Sequence, residues 1–325
     1  MRWEIHHRRV HWRLLEPLTT GAGGCRREVL ELRLVSSLGC GWGEAAPLPG
    51  LQRESLAEVV AALPALRQGL ALVEPQAGAR KTLAILEECL SARQVPPSLR
   101  WAAAWALAEA LGWSAAHDTD APASAGLLAG DPDSWLARVQ AQRGTAVWKA
   151  KVGRFPPARE AAALLELRAV LGPRAELRLD ANRAFSLEAA REFQRACGEL
   201  APRWIEEPLT DPAGLAAWRE GGGWPVALDE SLPADGPSAE LSRGVAAWVL
   251  KPQGLGLSRT LAAFDLAARQ AAPPACVISS SFESPRGLIP LAHLARLAPG
   301  LPAPGLGTRA WFADTPEAEA AWSAA

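Results

Sequence analysis

The sequence predicts an α/β fold in two parts: a small N-terminal α+β domain, then a closed barrel of βα units. Three observations predict it. Short apolar segments with strand character recur at 123–128, 146–152, 176–181, 203–206, 225–228, 246–250 and 275–279, with helical segments between them. Such buried strands in series build a parallel sheet, and this many favour closure into a barrel. The alternative, an open doubly wound sheet, is disfavoured because no glycine fingerprint follows the first strand. Finally, the polar residues gather at the C-terminal tips of these segments: Lys149 and Lys151, then Asp180, Glu206, Asp229, Lys251 and Ser279.

The elements follow in order. Residues 29–35 read V-L-E-L-R-L-V, an alternation of period two, and lead into what reads as a glycine-rich turn at 39–43. Residues 52–70 and 80–90 read as helices, interrupted at Pro64 and by a loop around Pro75. Pro96 and Pro97 mark a boundary, with Ser98 as the expected cap of a helix over 99–111. The longest apolar tract, 101–116, is alanine-rich and broken by Glu109, so it reads as a buried helix and not a membrane span. In the second half, Leu164, Leu167 and Leu171 share one helical face. Another helix is expected to be capped by Ser186 and to bury Leu187, Ala190, Phe193 and Cys197. After Pro299 the chain is rich in proline and glycine, shows no eighth strand, and is expected to fold back on the N-terminal domain. The expected division is 1–98, 99–299 and 300–325.

The chain has 325 residues, 49% of them hydrophobic, with a net charge of −1. That balance argues against a nucleic-acid or anionic-membrane partner. Five widely spaced cysteines form no metal pattern and fit free thiols in a reducing cytosol. His6, His7, Arg8 and Arg9 stand where a signal peptide would need its apolar run. The expectation is a cytoplasmic protein, monomer or homo-oligomer, acting on a small molecule.

Of the 34 basic side chains only four are lysines, Lys81, Lys149, Lys151 and Lys251, and three of these stand at strand tips. Arginine stays protonated in proteins, whereas a lysine in suitable surroundings can give up its proton. Lysine retained at these places points to proton transfer. Asn182, the only asparagine, follows Asp180 by two residues.

From Lys151 the tip residues are spaced 22 to 29 residues apart, about one βα unit each. In a βα barrel they converge on one mouth. Asp180, Glu206 and Asp229 on three neighbouring strands would repel one another without a cation, and an all-oxygen set favours a hard ion such as Mg²⁺, with Mn²⁺ as a substitute. Each residue alone reads equally well as a helix cap or an ion-pair partner; the ordered set carries the functional reading.

The motifs Lys149-Ala150-Lys151, Asp180-Ala181-Asn182, Glu206-Glu207-Pro208, Asp229-Glu230-Ser231 and Lys251-Pro252 resemble those of the enolase superfamily over nearly the whole chain. The resemblance implies a modified (β/α)7β TIM-type barrel with an N-terminal α+β capping domain. It implies Asp180, Glu206 and Asp229 as Mg²⁺ ligands, Lys151 as acid/base with Lys149 beside it, and Lys251 across the substrate. The segment Gly41-Trp42-Gly43-Glu44-Ala45-Ala46-Pro47-Leu48-Pro49-Gly50 and the run Ile278-Ser279-Ser280-Ser281-Phe282-Glu283-Ser284 are similar to motifs of the o-succinylbenzoate synthase family. That implies syn dehydration of a cyclohexadiene carboxylate, with Arg178, Asn182, Ser279, Ser280 and Ser281 on the substrate side. Gly307 stands where related sequences carry an acid. Racemases and epimerases of N-acylated amino acids share the same residue set, and a non-catalytic binding barrel is a more remote alternative. Two loops, 18–24 with Thr20 and Gly21 and 48–55 with Pro49 and Gly50, are expected to close over the mouth and exclude water.

Overall fold

The structure, a computed structural model, describes residues 3–18, 24–74, 78–113, 123–142, 144–241 and 243–324. Strands β1 (Glu4–Leu18), β2 (Gly24–Ser36) and β3 (Gly39–Ala45) form an antiparallel sheet. Helices α1 (Leu56–Ala61), α2 (Leu63–Ala71), α3 (Ala79–Ala92) and α4 (Pro97–Ala110) follow.

The segment expected to be a turn at 39–43 is strand β3, paired with β2 from Ser36↔Gly39 to Leu30↔Ala45. Its glycines answer a packing need. A Cβ on Gly41 would lie 1.8 Å from the Ala106 carbonyl oxygen, and one on Gly43 2.0 Å from that of Ala102. The alanine face of α4 thus rests directly on bare strand backbone, an approach that a side chain at Gly41 or Gly43 would block.

Helix starts also differ from expectation. Ser55, not a residue near 52, caps α1: its hydroxyl accepts from the Glu58 N–H while Glu58 accepts from the Ser55 N–H. Pro64 lies in the first turn of α2, where its missing N–H costs nothing, so it helps begin that helix. Ser98 does not cap α4. Its Oγ is buried without a partner and its N–H donates to Glu54 Oε1 at 3.0 Å, because Pro97 already occupies the first turn.

The second half lays down seven parallel strands: β4 (Gly126–Leu128), β5 (Val147–Lys151), β6 (Glu176–Asp180), β7 (Ile205–Glu206), β8 (Val226–Leu228), β9 (Val245–Leu250) and β10 (Ala275–Ile278). They run β4 to β10 in unbroken sequence order, which excludes the doubly wound alternative. The helices between them are α5 (Trp135–Ala141), α6 (Pro157–Leu171), α7 (Leu187–Ala196), α8 (Leu215–Glu220), α9 (Pro252–Leu255) and α10 (Leu257–Ala268). Ser186 caps α7 by accepting from the Ala189 N–H at 3.1 Å.

After α11 (Leu288–Leu297), residues around Gly305 take the place of an eighth strand. Gly305 donates to Ile278 O at 2.8 Å and its carbonyl accepts from Ser280; Pro304 O accepts from Ala125 at 2.9 Å. Pro302 and Pro304 lack the N–H groups a longer ladder would need. The tail then forms β11 (Ala318–Glu319) and β12 (Ser323–Ala324), both pairing with β1. One apolar core runs from Leu30, Leu32 and Leu34 through the largely buried α4 to Trp248, Leu250 and Leu291. Among the described residues no helix is long and apolar enough to cross a membrane.

Candidate active site

Lys149 and Lys151 alternate with buried Trp148 and Ala150 along β5, so both project to the same side. Strand pairing sets Lys151 beside Asp180 and Asp180 beside Glu206. Asp229, Lys251 and Ser279 each follow the last residue of β8, β9 and β10. The tips therefore meet at one mouth.

The carboxylates and ammonium groups interlock there. Lys149 Nζ lies 2.8 Å from Asp180 Oδ2 and also donates to Glu206 Oε2. Lys151 Nζ donates to Asp180 Oδ2 at 2.6 Å and to Asn182 Oδ1 at 2.8 Å. Lys251 Nζ donates to Asp229 Oδ2 at 2.5 Å. Burial opposes the charge on Asp180, but two ammonium groups outweigh it and hold that carboxyl well below its usual range. Among the described residues the Glu206 carboxylate has one ion-pair partner, Lys149; burial, aided by repulsion from Asp180 and Asp229, pushes it up to about 7. Burial likewise works against Lys149 and Lys251, yet the facing carboxylates hold both above the ordinary lysine value.

These carboxylates turn toward lysines, and among the described residues no three His, Cys, Asp or Glu side chains are grouped as a ready-made ion cage. The donor chemistry nevertheless fits a hard divalent cation. Three adjacent strand tips, those of β6, β7 and β8, carry Asp180, Glu206 and Asp229 and offer only oxygen donors.

The Glu206–Glu207 pair divides its work. Glu207 is buried, accepts from the Asp229 N–H at 2.8 Å, from Ser231 N–H and hydroxyl at 2.7 Å each, and from Arg183 at 3.0 Å. It braces the β8 tip while Glu206 faces the lysines. Asn182, Arg183, Glu207 and Phe282 all have positive φ, so the unusual backbone gathers at this mouth.

A cavity of about 630 Å³ opens above the cluster, lined by Lys149, Lys151, Asn182, Asp229 and Lys251. Ser279, Ser280 and Ser281 line it too. Ser280 shares a 2.7 Å hydrogen bond with Thr308, and Ser281 Oγ is buried without a partner. A wider, more open cavity of about 1030 Å³ abuts it, sharing Leu51, Asp229, Glu230 and Lys251. Gly50 lines the smaller cavity; Pro49 and Gly50 lie in a tight turn closed by Leu51 and Gln52 N–H groups on Leu48 O at 3.0 Å each. Thr20 and Gly21 lie outside the described residues.

Arg178 requires a correction. It lies one step below Asp180 on β6, away from the cavity lining, and is almost fully buried. Its guanidinium donates to Glu176 at 2.6 Å and Ala303 O at 2.7 Å and stacks over the Trp204 ring at 4.5 Å. Its charge is spent on the barrel interior. Conversely, Arg138, Arg154, Thr308 and Trp311 line the cavity without having been singled out, because thirty scattered arginines give no signal of their own.

Residues 134–316 match the family described as Enolase C-terminal domain-like. The o-succinylbenzoate synthase of Salmonella arizonae is 35% identical over 274 residues, covering 82% of this chain and 78% of that protein. Among solved structures, o-succinylbenzoate synthase from Thermosynechococcus elongatus, complexed with Mg in the active site, is similar at a TM-score of 0.69 and 26% identity, covering 96% of this chain and 95% of that one. A dipeptide epimerase from Enterococcus faecalis shares the fold at a TM-score of 0.78 and 20% identity, covering 97% and 92%. With the barrel, the capping sheet and the tip residues in place, these likenesses show that the chain is an enzyme of the enolase superfamily.

Proposed function

We propose that the protein is an o-succinylbenzoate synthase, catalysing syn dehydration of 2-succinyl-6-hydroxy-2,4-cyclohexadiene-1-carboxylate to 2-succinylbenzoate on the way to menaquinone or phylloquinone. The observation that carries this reading is the shared cavity of Lys149, Lys151, Asp229 and Lys251, in a chain about 35% identical to proteins of that name. A Mg²⁺ ion held by Asp180, Glu206 and Asp229 would stabilise the negative charge that develops on the substrate carboxylate.

Lys151 takes the proton α to that carboxylate. As the base it acts as the neutral amine; its Nζ reaches the cavity and is tethered to Asp180 and Asn182, which fixes its direction of approach. Having accepted the proton, it returns it to the hydroxyl leaving from the same face. Lys251, held on Asp229, stays charged and offsets negative charge on the opposite face. The capping turn at 48–52 and the serines at 279–281 shield the reacting carbon from water.

A racemase of N-acylated amino acids is the second reading, because Lys151 and Lys251 both reach the cavity and could serve two faces. The test is kcat/KM for the cyclohexadiene substrate, followed by ultraviolet absorbance of the aromatic product, beside kcat/KM for N-succinyl amino acids in D₂O. Dehydration is expected to be the more efficient. More efficient racemisation, with deuterium entering both enantiomers, overturns the assignment.

A further inference from the structure

Arg154 lies three residues beyond Lys151, in the loop between β5 and α6. One buried carboxylate fixes that loop: Glu160 Oε2 accepts from the Gly153 N–H at 2.8 Å, and Oε1 from Arg154 at 3.0 Å and Phe155 at 3.1 Å. The neighbouring Arg159 lies over the Phe155 ring at 5.2 Å and is committed to Asp131 and Asp133. Arg154 is different. Its backbone is pinned, yet its side chain is exposed, lines the cavity, and makes no hydrogen bond or ion pair among the described residues.

Every other charge near the reacting position has a partner. Lys149 and Lys151 face Asp180, Lys251 faces Asp229, and Glu230 accepts from Asn182. Arg138, from the adjacent βα unit, adds a second cation to the lining. Gly305 and Gly307 line the cavity without charge, and a Cβ at Gly307 would stand 3.0 Å from Ala125 O. The uncommitted charge of the cavity is thus that of Arg154, and among the described residues its lining acids, Asp229 and Glu230, stand on the Lys251 side.

We propose that Arg154 is a specificity-determining residue, selecting substrates with a second carboxylate distal to the reacting carbon over those with a neutral or ammonium group there. It rests on the reading of this cavity as the site of proton abstraction. A guanidinium binds a carboxylate through two parallel hydrogen bonds, and its pinned backbone lowers the entropy lost on doing so. An ammonium in the same place would meet like charge.

The test is calorimetric titration of the Mg²⁺-loaded protein with 2-succinylbenzoate and with 2-butanoylbenzoate, which lacks the distal carboxylate. The wild type is expected to prefer the succinyl compound about ten-fold, the size of one partly exposed charge-assisted contact. That preference should shrink with added salt, fall to within about two-fold in Arg154→Met, survive in part in Arg154→Lys, and reverse in Arg154→Glu. An Arg154→Met protein that melts like the wild type and keeps its full preference overturns the proposal. The dehydration assay separates the two readings. Turnover with a preference independent of Arg154 sinks this inference alone. An Arg154-dependent preference without dehydration sinks the proposed reaction and leaves this inference standing.

Discussion

Ser284 meets Glu44 twice across the seam between capping sheet and barrel: its N–H donates to Oε1 at 2.9 Å and its hydroxyl to Oε2. Around this pair, buried Arg27 donates to Phe282 O at 2.9 Å and Pro47 O at 2.8 Å. Gln253, two residues past Lys251, donates to Glu44 O at 3.0 Å and accepts from the Ala46 N–H at 3.3 Å. The strand leading to the 48–52 turn is therefore tied to the two barrel loops that carry Lys251 and the serines.

At the seam the buried acids Glu44 and Glu283 lie with buried Arg27, which gives it a pH dependence. Burial pushes Glu44 up to about 7, with the Ser284 hydrogen bonds pulling the other way, and burial pushes Glu283 up to about 7 as well. A carboxyl raised on folding contributes stability in full below its unfolded value near 4.5, and that contribution is lost as pH rises through 7. Glu283→Gln removes one such group while keeping an oxygen for the Ser281 N–H. Between pH 5 and 8 the wild-type melting temperature should fall more than that of the variant, by about 3 °C. Parallel melting curves would rule out this origin.

Divalent metal should stabilise the fold as well as support turnover. Mg²⁺ is expected to raise the melting temperature of the wild type and not of Asp229→Asn, which loses one of three charges at the site. Exhaustive chelation should abolish turnover. Full activity after chelation would remove the metal from the assignment.

The two lysines should respond differently to arginine. Lys151→Arg preserves charge but cannot accept a proton, so kcat should fall by at least ~10²-fold, the lower end for general acid–base catalysis. Lys251→Arg should retain more activity than Lys251→Ala, because only its charge is required in a one-base dehydration. Equal losses in both Lys251 variants would favour proton exchange on both faces.

Gly41→Ala should destabilise by about 3 kcal/mol, the upper range for overpacking, since the Ala106 carbonyl cannot yield without moving α4. Urea unfolding measures it. A loss below about 1 kcal/mol would show that helix and strand can separate freely.

Much of this protein was legible in its sequence. Seven strand segments, the Ser186 cap and the tip set from Lys149 to Ser279 follow from periodicity and chain order, because each βα unit repeats one local pattern. The scarcity of lysine singled out Lys149, Lys151 and Lys251 because proton chemistry resists replacement by arginine. Contacts between distant segments decided the rest. Gly41 and Gly43 read as a turn until α4 came to lie on them, and the residues around Gly305 complete the barrel only through partners on β10 and beside β4. Arg178 and Arg154 are alike as letters. Burial against Trp204 and Glu176 spends the charge of the first, and a loop pinned by Glu160 leaves the second facing the cavity. A side chain's type is local information, whereas the partner that consumes its charge is set only when the chain packs.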